Sequence, residues 1–252
     1  MSVTQSEKHH GLQKIGHISI LFLLPLLGSA ILALPPYLLH QSGLSLPLSI
    51  YAGELLVSLY LIHRFYGLTS CGLKGIPKLS DFTWALLFLV LRSIIWIAFL
   101  PVNISYFPLP VVISDLLFFV LVNAAAEEIH FRGLLYTGIQ AQISRPIVAA
   151  VISSLLFGLL HLSLGEPLWI PLFIADGLAW CGIRIRTGSV YPAILSHGLQ
   201  NLLFTRFLVV PQDLSAKTEL VYTITAIVVD VLFFTIALNK NFGKYGTRRY
   251  EL

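Results

Sequence analysis

Two adjacent glutamates and an arginine stand in a long apolar run, and few folds can accommodate them. Residues Val111 to Ala126 carry only Ser114, Asp115 and Asn123 as polar interruptions, and Glu127, Glu128 and Arg132 follow at once. The length and apolar character of the run predict a membrane-spanning helix. Each charge near the bilayer centre costs roughly 2.5–3.5 kcal/mol on the insertion scale, so these side chains must face a protein interior or a wet cavity. Glu128 and Arg132 are four residues apart, share a helix face and can pair. Glu127 is turned about 100° from Glu128. Its nearest neighbours on its own face are Asn123, His130 and Phe131. One acid is thereby anchored and the other left free for chemistry. The bland alternative is an ion-pair network that only joins helices.

The rest of the chain agrees with a membrane setting. Of 252 residues, 56% are hydrophobic and only 11% charged, with a mean hydropathy of +0.84. These values predict an all-α, polytopic transmembrane bundle in a single domain, residues 1–252, with an interior polar cavity. The net charge of +4 comes from Lys and Arg in short loops and tails. It reports topology rather than a nucleic-acid surface, so no nucleic-acid partner is expected. Cys71 and Cys181 have neither repeat nor metal-site spacing and are expected as ordinary thiols.

Eight spans are expected, at about 15–39, 48–64, 82–100, 111–140, 146–161, 168–183, 190–207 and 220–238. Pro35-Pro36 is expected to end or kink the first. Gly165-Glu166-Pro167 predicts a turn, and Thr187-Gly188-Ser189 a tight turn with Pro192 in the first turn of the next helix. Residues 1–14 and 239–252 are expected as cytoplasmic tails, the first disordered. The loops at 41–47, 101–110 and 163–167 contain no Lys or Arg, whereas the alternate loops and both ends are basic. Only Lys217 breaks this pattern, which predicts both termini in the cytoplasm.

Three polar clusters lie in three different apolar segments: Glu127, Glu128 and Arg132; Phe157 with His161; and His197 with Gln200 and Asn201. His197 and Asn201 share a face. An acid, a histidine, and a histidine with an amide can hydrolyse a carbonyl compound. Glu127 would act as general base, assisted by His161, and His197 and Asn201 would donate to the oxyanion. Taken singly, each histidine is as well explained as a core residue. His161 also stands nearer its helix end than Glu127 would suggest. Glu127, His161 and His197 could alternatively hold zinc, although no His-Glu-x-x-His pattern favours it.

The set Glu127-Glu128-x-x-x-Arg132, Phe157-x-x-x-His161 and His197-x-x-x-Asn201 resembles the three signature motifs of the CPBP family. That family comprises the type II CAAX prenyl endopeptidases and the bacterial bacteriocin-processing and immunity proteins, also called the Abi family. The stretches 127–133 and 187–197 match in their surroundings, and the resemblance covers about 110–205. It implies an eight-helix intramembrane endopeptidase of glutamic type, without a cofactor, with its cavity open to the cytosol. Glu128 and Arg132 would have supporting roles. The implied partners are membrane lipid and a membrane-associated protein or peptide substrate, and the implied location is a bacterial cell membrane. His130 stands where an apolar residue is commoner in the family; it is expected at a loop or headgroups, with contact to Glu127 as the alternative.

Other polar residues, Glu54, Arg92, Asp115, Asp176 and Asp230, are expected to pair between helices or line the cavity, with Asp176 the best candidate for a contribution to the site. Trp169, Trp180 and tyrosines near helix ends are expected as interfacial anchors. Two other functions fit the same carboxylates: a transporter or proton pathway, and a scaffold or immunity protein that does not cleave. No inverted repeat supports the first.

Overall fold

The computed structural model describes residues 5–40, 43–164, 169–211 and 213–239. The chain ends at 1–4 and 240–252 and the expected turn at Gly165-Glu166-Pro167 lie outside the described residues. The described chain forms eight principal helices: α1 (Gln5–Leu38), α2 (Ser45–Phe65), α3 (Leu79–Phe99), α4 (Leu109–Ile143), α5 (Pro146–Leu160), α6 (Ile170–Thr187), α7 (Tyr191–Leu202) and α8 (Ala216–Leu238). Five segments are long and apolar enough to cross a membrane: Gln13–Leu38 within α1, α2, α3, α4 and α8. Helix α5 is apolar but shorter. Helices α6 and α7 carry Asp176, Arg184, His197 and Gln200, which turn inward and are buried. Outward-facing Leu23, Ile31, Ile94, Ile97, Leu121 and Val228 expose apolar surface suited to lipid contact. The protein is therefore an all-α polytopic bundle.

Two differences from the expected layout have local causes. Helix α1 starts at Gln5, so most of the expected disordered tail has a helical backbone. It also continues through Pro35-Pro36 to Leu38, because a proline removes only its own donor and the helix ends two residues later. The turn at 187–189 forms as expected. Gly188 caps α6 with φ +71°, a left-handed conformation suited to glycine, and Ser189 N–H donates to Thr187 Oγ1 at 3.2 Å.

Four contacts set the positions of the helices around the site. Gly53 of α2 lies so close to Gly28 of α1 that a Cβ there would stand 2.3 Å from the Gly28 carbonyl oxygen. Arg92 of α3 pairs with Asp176 of α6 (3.2 Å) and Asp230 of α8 (3.5 Å), and donates to the Tyr222 hydroxyl at 3.2 Å. All four side chains are buried, so this cluster holds three helices by charge. At one end of the bundle the loops form a two-residue antiparallel clip: β1 (Asn103–Ile104) pairs with β2 (Leu208–Val209). Trp96 donates from Nε1 to the Leu208 carbonyl at 2.8 Å and stacks on Phe204 at 4.2 Å. At the other end the loop after α2 docks on the α6–α7 turn. Arg184 donates to Ser70 O (2.8 Å), Val190 N–H to Gly72 O (3.1 Å), and Tyr191 to Leu73 O (2.8 Å).

Candidate active site

Helix α4 is not uniform. Its backbone widens into π-helical turns at Phe118–Ala124 and again at Ile129–Leu135, with the α-helical turn Ala125–Glu128 between them. Such widened turns are rare and concentrate at functional sites. From Glu128 to Tyr136 every residue is buried. The spacing of four survives at both acids. Arg132 donates from Nη1 to Glu128 Oε1 at 3.0 Å, and Asn123 donates from Nδ2 to Glu127 Oε1 at 2.8 Å.

His197 of α7 joins the two acids. Its Nδ1 donates to Glu128 Oε1 at 2.8 Å, and its Nε2 stands 3.7 Å from Glu127 Oε2. Its ring stacks on Trp180 of α6 at 4.0 Å. A second link from α7 runs through amides: Asn201 donates to Asn123 Oδ1 at 2.7 Å, and Asn123 donates to Glu127. The two acids differ in access. The Glu128 side chain is sealed, whereas 15% of the Glu127 side chain remains accessible. Arg132 lies over the Phe157 ring at 4.4 Å and the Trp180 ring at 5.2 Å, which lets aromatic faces share the burial of its charge.

His161 stands apart from this group. It closes α5, and its Nδ1 meets the Phe157 carbonyl of its own helix at 2.9 Å. Its ring stacks on Phe173 at 4.2 Å. Among the described residues no hydrogen bond or ion pair joins it to Glu127. The Phe157 ring lies beside both histidines, with centroids 4.7 Å from His161 and 6.0 Å from His197. Glu127, His161 and His197 therefore do not converge as a metal site. No group of three or more His, Cys, Asp or Glu among the described residues does so.

Two expectations are corrected. His130 faces neither a loop nor headgroups and makes no contact with Glu127. It is fully buried, with Nδ1 2.7 Å from Glu54 Oε1 of α2 and Nε2 3.2 Å from the Leu21 carbonyl of α1. Trp180 is no interfacial anchor; it is buried against His197 and Arg132. Asp176 serves the Arg92 cluster, and among the described residues no ion pair joins it to a motif residue. The expectation that lone charges pair between helices holds for Glu54, Arg92, Asp176 and Asp230, and for Asp115, which meets Arg206 at 3.0 Å. Both cysteines are free and buried.

The family model described as type II CAAX prenyl endopeptidase Rce1-like matches residues 108–203. The uncharacterized protein YyaK of Bacillus subtilis (strain 168) is 27% identical over 128 residues, which covers 48% of this chain and 43% of that protein. The match thus spans less than half of the relative's length. No solved structure matches. The segment that carries Glu127, Glu128, Arg132, His161, His197 and Asn201 is the segment matched, so over residues 108–203 the chain is similar to the Rce1-like type II CAAX prenyl endopeptidases.

Proposed function

We propose that the protein is an intramembrane endopeptidase that hydrolyses a peptide bond of a membrane-associated protein or peptide, with Glu127 as general base. The observation that carries this reading is the convergence of α4 and α7 on one accessible carboxylate. Asn123 orients Glu127, Asn201 holds Asn123, and His197 Nε2 stands 3.7 Å away.

Glu127 takes a proton from water while the water oxygen bonds to the scissile carbonyl carbon. The negative charge that develops on the carbonyl oxygen is met by His197, which Glu128 holds by Nδ1, and by the free amide N–H of Asn201. The C–N bond then breaks, and the proton on Glu127 passes to the leaving amine. Arg132 holds Glu128 in place, so its role is one step removed. His161 stands behind Phe157 and contributes by lining the approach to the site rather than by touching the base.

The location that goes with this reading is a bacterial cell membrane with both termini cytoplasmic, supported by the alternation of basic and uncharged loops. The test is purification in detergent followed by mass spectrometry of peptide libraries incubated with wild type and with Glu127→Ala. Cleavage by wild type alone is the expected result. Equal cleavage by both, or none by wild type, overturns the reading; a phenotype in cells that survives Glu127→Ala would instead identify a scaffold.

A further inference from the structure

Helix α2 lies outside the segment matched by the family model, yet it packs along the catalytic turn of α4. Its rotation is fixed on two sides. Gly53 is pressed against Gly28 of α1, and Glu54 is held by His130 of α4 at 2.7 Å. The two helices run parallel: Glu54 meets His130, and further along both chains Ile62 packs beside Gly133. Glu54 and His130 are 76 residues apart in the chain. Tyr51 lies one helical turn before Glu54 on α2, as Glu127 lies about one turn before His130 on α4, and α2 packs against the Ala125–Glu128 turn. Tyr51 and Glu54 share a face of α2, since residues three apart do so.

The half-buried Tyr51 ring packs edge-on against Phe118 of α4 at 6.0 Å, and its hydroxyl lies beside the Asn123 amide and the Glu127 carboxylate. The Asn123 carbonyl already accepts from Asn201, and its amide already donates to Glu127. The phenol therefore adds a donor on the α2 side of the same carboxylate. Glu127 is approached from α7 through His197 and Asn201, and from α2 through Tyr51.

We propose that Tyr51 is a positioning residue for Glu127, and that the buried Glu54–His130 pair sets the rotation of α2 that brings its hydroxyl there. The proposal rests on Glu127 as the reacting carboxylate. It gives His130 a function that its exchange for an apolar residue would remove, although His130 itself never touches the site.

The test uses the full chain in detergent and two measurements. Tyr51→Phe removes only the hydroxyl and keeps the ring contact with Phe118. In infrared difference spectra, the carboxyl band of Glu127 is identified as the one that Glu127→Gln abolishes. In Tyr51→Phe that band shifts, and with a cleaved peptide kcat falls about tenfold while KM stays within about twofold, the effect of one lost hydrogen bond. A band that does not move in Tyr51→Phe overturns the proposal whether or not the protein cleaves. A band that moves with kcat unchanged overturns the positioning role. If the band moves but wild type cleaves nothing, the hydrolytic reading fails and the placement of Tyr51 on Glu127 stands.

Discussion

Glu127 and Glu128 are adjacent in the chain but serve different ends. Glu128 is sealed between Arg132 and His197, and Glu127 keeps an accessible edge. Substitutions should separate them. Glu127→Gln keeps the shape and removes the base, so cleavage should fall by about 10²–10⁴ with an unchanged melting temperature. Arg132→Met strands a buried carboxylate with only His197 beside it. Loss of about 3–5 kcal/mol is expected, the scale of breaking a buried pair, and should appear as a lower melting temperature in detergent. Much at this scale was legible in the sequence. A spacing of four joins Glu128 to Arg132 and sets Asn123 beside Glu127, because both pairs are local to one helix. The surroundings of His130 and Trp180 were not legible, because their partners, Glu54 and His197, lie on other helices and no spacing reveals a contact between distant segments.

At the scale of elements, the site depends on how closely α7 approaches α4. A Cβ on Gly198 would stand 2.6 Å from the Val120 Cα and 2.8 Å from the Phe119 carbonyl oxygen. These are backbone atoms, so the helices must separate. Gly198→Ala should cost about 1–3 kcal/mol, as overpacking does, and should lower cleavage by about 10²-fold because His197 moves with the helix. Parallel melting and cleavage assays check both. The loop after α2 offers a test outside the spans. Burial pushes the Cys71 thiol up to about 11 from an ordinary 9.0, against smaller opposing effects of Thr137 and Arg184. The folded state therefore keeps its proton where the unfolded state loses it. The contribution of Cys71 to stability is full below pH 9 and is lost as pH rises towards 11. Maleimide labelling at pH 8 should accordingly be slow in the folded protein and fast after denaturation. Helix number and order were legible from apolar runs and breakers. The π-helical turns of α4 and the β clip were not, since the first reflects packing against α2 and α7, and the second is two residues long.

For the whole molecule, the Arg92 cluster is a long-range tie that joins α3, α6 and α8. Arg92→Met leaves Asp176 and Asp230 facing each other without a cation. A loss of about 3–5 kcal/mol is expected, visible as a lower melting temperature, whereas the local geometry of Glu127 should persist in any protein that still folds. The sequence marked these three residues as paired without saying with whom. The short clip, joined to this cluster through Trp96, has a further effect. It knots Asn103–Ile104 to Leu208–Val209, and the matched stretch 108–203 lies wholly inside the loop so closed. A purse drawn at the neck keeps its contents together however its straps are lengthened. Segments added before the knot or after it can change the attachments of this protein without loosening the enclosure in which acid, amide and imidazole meet.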